Sequence, residues 1–234
     1  MRRWAWVALG LVALVGLTAG CGTASKQEEA EKEQEVTIDL ADYRFIANSI
    51  NLEVGTLLEV KLRNTSSQKH EMVIDTPEGE YEVEVDAGES LGFGIKFRQP
   101  GTYAFKCELP GHLEQGMKGE IVVKGKGTAA KFARDEGGGE EIKQEVKLAL
   151  SDFKFDPEVV TTNAGTLLEF AIENSSGQPH EMVIDGKSAE FEIEVDGGKT
   201  LDFGVKYRQK GTFEYKCELP GHVEQGMKGK IVVQ

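Results

Sequence analysis

The chain contains a long internal repeat. Residues 36–123 and 146–233 align at a constant offset of 110 residues without insertion or deletion, and roughly half of the aligned positions are identical. A repeat of about 90 residues is too long for the unit of a solenoid and has the size of a small compact domain. The sequence therefore predicts two copies of one domain, at 36–123 and 146–234. A linker at 124–145, rich in glycine and charged residues, joins them.

Each copy has the pattern of an all-β fold. Short segments with β-strand character include Leu57–Leu62, Tyr81–Val85 and Thr102–Phe105, and turn signals such as Pro100-Gly101 separate them. A helical period of useful length is missing from both copies. Many short strands at regular spacing favour a Greek-key β-sandwich in each copy.

Residues that bind soft metals recur with the repeat. The chain has four histidines and three cysteines. All four histidines and two of the cysteines fall into two sets, which are His70, Cys107, His112 and Met117 in the first copy and His180, Cys217, His222 and Met227 in the second. Two imidazoles, one thiolate and one thioether are the ligands of a blue-copper electron-transfer site. We therefore predict two copper ions per chain, one in each copy.

Other interpretations of the two cysteines remain open at this stage. Cys107 and Cys217 could form a disulfide if the protein is exported, or each could be a small buried apolar residue. Zinc could also occupy a site of one thiolate and two imidazoles. The repeated placement, with two imidazoles and a thioether assigned locally to each cysteine, favours two separate thiolates.

The N-terminus predicts export and a membrane anchor. Arg2 and Arg3 precede an apolar run over residues 4–17, which is shorter than the roughly 20 residues of a membrane span. Ala19-Gly20-Cys21 resembles a bacterial lipoprotein signal, although Thr18 stands where leucine is usual and leaves ordinary cleavage or an uncleaved anchor as alternatives. We predict a signal peptide at 1–20, lipidation of Cys21 and a charged tether at 21–35. The protein would then face the periplasm or the cell exterior.

The ligand segments resemble the cupredoxin family. The signature runs from Gly101 through Cys107, Pro110-Gly111-His112 and Met117 to Gly119, and Asn64-x5-His70 resembles the segment of that family's first histidine; both recur 110 residues later. The Cys-x4-His-x4-Met spacing is most similar to that of auracyanin and rusticyanin within the plastocyanin/azurin-like group. The resemblance implies a cupredoxin sandwich, type 1 copper and one-electron transfer, with the eight residues above matching the family's ligands.

The resemblance also implies roles around the ligands. His112 and His222 would lie at the surface as the electron exit, within a docking patch of Leu109, Leu113 and Val223. The sequence departs from the family after the first histidine, where Glu71 and Glu181 replace the usual Asn, Ser or Asp. That change puts a hydrogen bond near the thiolate in doubt.

The expected function is single-electron transfer outside the cytoplasm. A net charge of −13 favours a basic redox partner, such as a c-type cytochrome or a membrane oxidoreductase, rather than nucleic acid. An enzyme is not expected, because a catalytic copper needs further histidines and the two sets use them all. The alternatives are copper binding or delivery without a redox partner, or one part of a copper oxidoreductase whose other ligands come from another protein.

Overall fold

The described chain consists of strands, turns and loops. The structure, a computed structural model, describes residues 32–130 and 141–234, and neither range contains a helix. The first copy has the strands β1 (Glu33–Ala41), β2 (Arg44–Ile46), β3 (Ser49–Glu53), β4 (Leu57–Asn64), β5 (His70–Asp75), β6 (Gly79–Val85), β7 (Ser90–Phe97), β8 (Gly101–Lys106) and β9 (Lys118–Lys124). The second copy has β10 (Lys143–Ser151), β11 (Lys154–Asp156), β12 (Val159–Thr162), β13 (Leu167–Asn174), β14 (His180–Asp185), β15 (Ala189–Val195), β16 (Thr200–Tyr207), β17 (Gly211–Lys216) and β18 (Lys228–Val233). The predicted all-β fold is confirmed.

Part of the predicted organisation lies outside the described residues. This part comprises the signal peptide at 1–20, Cys21, most of the tether and the middle of the linker. Among the residues described, none forms a helix of the length and apolarity that crossing a bilayer requires. The first strands begin at Glu33 and Lys143, three residues before the domain starts expected at 36 and 146. The ends of the predicted tether and linker thus belong to β1 and β10.

Each copy folds into two packed sheets. In the first copy the strand orders are β2-β1-β4-β7 and β6-β5-β8-β9-β3. Alternation along a strand places every second side chain between the sheets. In β4, Leu58, Val60 and Leu62 are buried, whereas Lys61 and Arg63 are exposed. The second copy repeats the arrangement as β11-β10-β13-β16 and β15-β14-β17-β18-β12, so the predicted sandwich is confirmed in both copies.

The two sandwiches are joined edge to edge. β7 pairs antiparallel with β15, and β6 pairs antiparallel with β16. Each sheet of the first copy thereby continues into a sheet of the second, giving two sheets of nine strands across the described chain. An open edge strand would expose unpaired N–H and C=O groups, and here each copy covers two edges of the other. Strand pairing therefore fixes the arrangement of the copies independently of the linker.

Aromatic rings fill the core where the copies meet. Phe191 of the second copy stacks on Tyr81 of the first, with ring centroids 4.7 Å apart, and on Phe203 at 5.0 Å. Phe93 of the first copy also stacks on Phe191, at 5.3 Å. All four rings are buried within one continuous hydrophobic cluster. Because burial of one such side chain stabilises a fold by about 1.5–3 kcal/mol, the junction contributes to the stability of both copies.

Ion pairs cross the junction at both strand pairings. Arg208 of the second copy donates to Asp75 at 2.7 Å and to Glu80 at 3.0 Å in the first. Arg98, 110 residues earlier, makes the corresponding contacts with Asp185 and Glu190. The two networks differ in burial, because the Asp75 side chain is 1% exposed and the Asp185 side chain is 43% exposed.

We expect Arg208→Ala to lower the free energy of unfolding by about 3 kcal/mol, because the buried Asp75 carboxylate loses its partner at 2.7 Å and keeps only Lys106 at 3.6 Å. Denaturant unfolding measures this loss. Arg98→Ala is the matched control and should cost less, since the Asp185 carboxylate is hydrated whereas that of Asp75 is buried. The glutamates do not differ in this respect, because Lys96 still pairs with Glu190 and Lys206 with Glu80. An equal or larger loss in Arg98→Ala would contradict the assignment of the cost to burial.

A buried carboxyl group lies beside the same junction. Glu82 on β6 is 8% exposed and lies opposite Gly204 of β16. Carboxylate oxygens of Glu82, Glu71 and Glu84 lie within 4.8 Å of one another. Burial first, and then the charge of Glu71, raises the pKa of Glu82 to about 8.

The raised pKa predicts how stability depends on pH. The folded chain holds a proton on Glu82 that the unfolded chain releases above its ordinary pKa of 4.5, so the free energy of unfolding should fall between pH 4.5 and about 8. We expect Glu82→Gln to make this fall in the free energy of unfolding less steep. The substitution should therefore raise the unfolding temperature more at pH 8 than at pH 5, by about 2–4 °C for each kcal/mol of unfolding free energy that is regained. Thermal unfolding followed by circular dichroism tests this, and an equal shift at both pH values would refute it.

Candidate metal centres

Three predicted ligands of the first copy converge in the structure. His70 begins β5, Cys107 follows the end of β8, and His112 lies in the loop between β8 and β9. The two Nδ1 atoms of the histidines are 3.1 Å apart, and Cys107 Sγ is 3.2 Å from His112 Nδ1. His70 and Cys107 are fully buried. The fold thus brings together residues that are distant in sequence, because β5 and β8 are neighbours in one sheet.

The second copy has the same convergence. His180 Nδ1 and His222 Nδ1 are 3.2 Å apart. Cys217 Sγ lies 3.2 Å from His222 Nδ1 and 4.0 Å from His180 Nδ1. Both cysteines are free thiols, so the alternative of a disulfide between Cys107 and Cys217 is not what the structure shows.

Backbone hydrogen bonds close the loop that carries three of the four predicted ligands. The Cys107 N–H donates to the Met117 carbonyl at 3.0 Å, and the Met117 N–H donates to the His112 carbonyl at 3.1 Å. Gly111 and Gly116 have φ values of 83° and 96°, in the left-handed region that glycine adopts at little cost. Met117 is fully buried. The same bonds join Cys217, Met227 and His222 in the second copy.

An asparagine side chain fixes the segment before the first histidine. Asn64 Nδ2 donates to the Gln68 carbonyl at 2.7 Å and to the Val85 carbonyl at 2.9 Å, while Asn64 Oδ1 accepts the Ser66 N–H at 3.0 Å. Asn174 makes the corresponding contacts in the second copy. This buried amide therefore holds the end of β4 against the loop that leads to His70.

The thiols lie in an apolar environment with a few backbone donors. Burial raises the pKa of Cys107 to about 11, and the N–H groups of Glu71 and Leu109 act in the opposite direction. In the second copy the Glu181 N–H lies 3.4 Å from Cys217 Sγ, and burial again raises the pKa of that thiol. Burial, followed by the facing histidine, lowers the pKa of His70 and His180. A bound cation would therefore stabilise the thiolate that the apolar surroundings disfavour.

The acidic residues after the first histidines keep a hydrogen bond to the ligand loop. Glu71 Oε1 accepts the Glu108 N–H at 2.6 Å, which links β5 to the residue that follows Cys107. Burial raises the pKa of Glu71 to about 7, and that of Glu181 also to about 7, against the hydrogen bond from the backbone N–H of Glu108 or Glu218. The Glu71 side chain therefore hydrogen-bonds to the residue that follows the predicted cysteine ligand.

The outer histidines are less exposed than the sequence suggested. His112 is 6% exposed and His222 is 7% exposed, whereas His70 and His180 are inaccessible. Leu109 and Leu113 around His112 are half-buried, and Val223 is exposed. Each outer histidine contacts an aromatic ring that sequence reasoning missed, Tyr43 or Phe153. The only sequence signal was an aromatic residue after aspartate at the same position of both copies.

The donor set and its spacing fit a copper ion. Two imidazole nitrogens and one cysteine sulfur face each other near van der Waals contact, and ligands about 2.0–2.3 Å from one ion lie roughly 3.3–3.8 Å apart. Copper of the blue type takes two His, one Cys and a weak axial Met. His70, Cys107, His112 and Met117 would hold the first ion, and the four residues 110 positions later would hold the second.

Both centres lie at the same end of the double sandwich. His70 pairs with the last residue of β6, and His180 pairs in the same way with the last residue of β15. Val83 near the end of β6 pairs with Phe203 near the start of β16. Because β16 follows β15 along the chain, the ends of β6 and β15 lie at the same end of the structure. The strand order gives the distance between the centres. His180 of the second centre begins β14, which is four strand spacings from β1, and Tyr43 in the turn after β1 contacts His112 of the first centre. At about 4.8 Å per spacing, the centres stand on the order of 20 Å apart.

Parts of the chain are similar to known proteins. The copper-resistant cuproprotein CopI of Rubrivivax gelatinosus is 27% identical over 118 residues, which are 42% of this chain and 71% of that protein. Auracyanin A, a "blue" copper protein from Chloroflexus aurantiacus, is 20% identical, with 39% of this chain and 99% of that chain covered and a TM-score of 0.36. A copper-containing nitrite reductase from Thermus scotoductus is 16% identical, with 86% and 62% covered and a TM-score of 0.35.

A family model covers both copies. The model described as "Cupredoxin-like domain" matches residues 11–123 and 128–233. These two ranges include all eight predicted ligands and extend over most of the chain. The chain belongs to the family of cupredoxin-like domains and carries that domain twice.

Proposed function

We propose that this chain binds two copper ions and carries single electrons between redox proteins outside the cytoplasm. The observation that carries the proposal is the pair of buried clusters of two imidazoles and one thiol, each closed by a loop with a buried methionine. Copper bound there supplies a one-electron couple. The ligand side chains are buried and would exclude water and substrate from the ion, which suits electron transfer rather than bond-making chemistry.

The histidine count supports a carrier over an enzyme. A catalytic metal keeps an open position for substrate, whereas four protein ligands at each centre would leave none. The chain has four histidines, and the two centres use all of them. Catalysis at an additional copper would therefore need ligands from another protein.

The position of the centres supports a single docking side. Both ligand loops lie at one end of the sandwich, and each has apolar residues around its outer histidine, namely Leu109 and Leu113 in the first copy and Leu219 and Val223 in the second. The acidic net charge of −13 favours a basic partner, such as a c-type cytochrome, or a membrane oxidoreductase. An export signal and a lipid at Cys21 would hold the protein at the outer face of a membrane.

A copper-binding role without a redox partner is the second candidate. The observation that favours it is the similarity to a protein named as a copper-resistant cuproprotein. The same eight residues would then sequester the metal. Buried ligands predict slow release to a chelator, which fits retention better than delivery.

The first test is copper content together with the visible spectrum of protein lacking residues 1–21. We expect two coppers per chain and an intense thiolate-to-copper band that bleaches on reduction. Cys107→Ser and Cys217→Ser are matched variants, and each should remove one of the two blue centres while leaving the other. Copper bound without the band would contradict type 1 sites, and failure to bind copper would contradict the metal.

The second test distinguishes an electron carrier from a protein that only retains copper. We expect the reduced protein to transfer electrons to a basic c-type cytochrome in stopped-flow mixing, at a rate that falls as salt is raised because the attraction is screened. An acidic cytochrome of similar potential is the control and should react more slowly at low salt. Blue copper without electron exchange with either cytochrome would favour retention of copper as the function.

A further inference from the structure

An aromatic ring lies against the outer histidine of each centre. Tyr43 meets His112 edge-on, with ring centroids 5.0 Å apart and an interplanar angle of 86°. Phe153 meets His222 at 4.9 Å and 89°. Both aromatic residues are half-buried, so each ring covers part of its histidine and also reaches the surface. Edge-to-face contacts of this kind are favourable beyond the area that they bury.

The backbone at these two residues is unusual for a large side chain. Tyr43 and Phe153 have φ values of 56° and 59°, in the left-handed region. Tyr43 occupies the two-residue turn between β1 and β2, whose flanking residues Ala41 and Arg44 are paired. Glycine or asparagine is favoured where such a turn needs positive φ. A strained conformation persists where surrounding contacts compensate for it, and the histidine ring is one such contact.

The first centre has an additional hydrogen bond. Gln68 Nε2 donates to the Tyr43 hydroxyl at 3.3 Å, and the Gln68 carbonyl accepts from Asn64 in the loop that leads to His70. Tyr43 therefore contacts the segments that carry both histidines of its centre. Phe153 has no hydroxyl group, so Gln178, the counterpart of Gln68, cannot make the equivalent bond.

We propose that Tyr43 and Phe153 are positioning residues that hold the outer histidines in their ligating orientation, and that the Tyr43 hydroxyl makes the first centre the slower to release its metal. A histidine ring held with Nδ1 beside the cysteine sulfur loses less freedom on binding metal and swings away less often. The proposal rests on the proposed function for the identity of the metal.

Removal of the ring tests the positioning role. Tyr43→Asn is made with Cys217→Ser, and Phe153→Asn with Cys107→Ser, so that each sample has one centre. Each sample is loaded with copper, and the decay of the visible band is followed in excess EDTA against the single Cys→Ser parent. We expect release about 2- to 10-fold faster, the range given by a ring contact of about 0.5–1.4 kcal/mol. Unchanged release in both variants would overturn the proposal.

The choice of asparagine protects the turn, because this residue tolerates positive φ. Circular dichroism should show an unchanged fold. If the rings had no role beyond strain, both variants would gain stability and keep the parental release rate. That combination would also overturn the proposal.

The two copies provide their own control for the hydroxyl. Tyr43→Phe keeps the ring and removes the bond to Gln68, so release at the first centre should approach that of the second. Phe153→Tyr should slow release at the second centre by offering the Gln178 side-chain amide a hydroxyl acceptor. Equal rates at the two native centres, unaffected by either exchange, would overturn the role of the hydroxyl.

A measurement on the metal-free full chain separates this proposal from the proposed function. We expect nuclear Overhauser contacts between the rings of Tyr43 and His112, and faster motion of His112 in Tyr43→Asn. Loss of copper binding with these contacts present would overturn the proposed function and leave the positioning role supported. Tight copper binding with no ring contacts and unchanged release would overturn the positioning role alone.

Discussion

The antiparallel pairing of β7 with β15 and of β6 with β16 joins the two copies into one fold. It places the stacked rings of Tyr81 and Phe191 in one core and covers two edge strands of each copy. It also sets the register that leaves both metal centres at one end. Burial of Glu82 follows from the same pairing, because Gly204 lies opposite it and a Cβ there would sit 3.0 Å from the Glu82 Cβ.

The sequence was sufficient for the repeat, the all-β class and the residues that converge. The ligands could be found because rare residue types recur at one offset, and because a Cys-x4-His-x4-Met loop needs only local hydrogen bonds to close. The strand pairing between the two copies could not be predicted from the sequence. The alternation Glu80, Glu82, Glu84 predicts a solvated face, yet Glu80 and Glu82 are buried by a strand more than 100 residues away.

The environment of the ligands was predictable only in part. Glu71 was visible as a departure from the family pattern, but its bond to the Glu108 N–H depends on how far the longer side chain reaches. Tyr43 and Phe153 were missed because a two-residue turn with an aromatic residue at positive φ contradicts turn preferences. Turn preferences fail at this position because a tertiary contact with a histidine ring competes with them.

The junction has the form of a two-fold symmetric dimer within one polypeptide. β15 and β16 are the counterparts of β6 and β7, and the contacts of Arg208 with Asp75 and of Arg98 with Asp185 are one contact made twice. Covalent linkage makes this association independent of protein concentration. It also frees the halves to differ: Lys143 binds Glu169, whereas Glu33 at the equivalent position repels Glu59. A homodimer would have to carry either residue on both sides, and a fused chain can keep one of each.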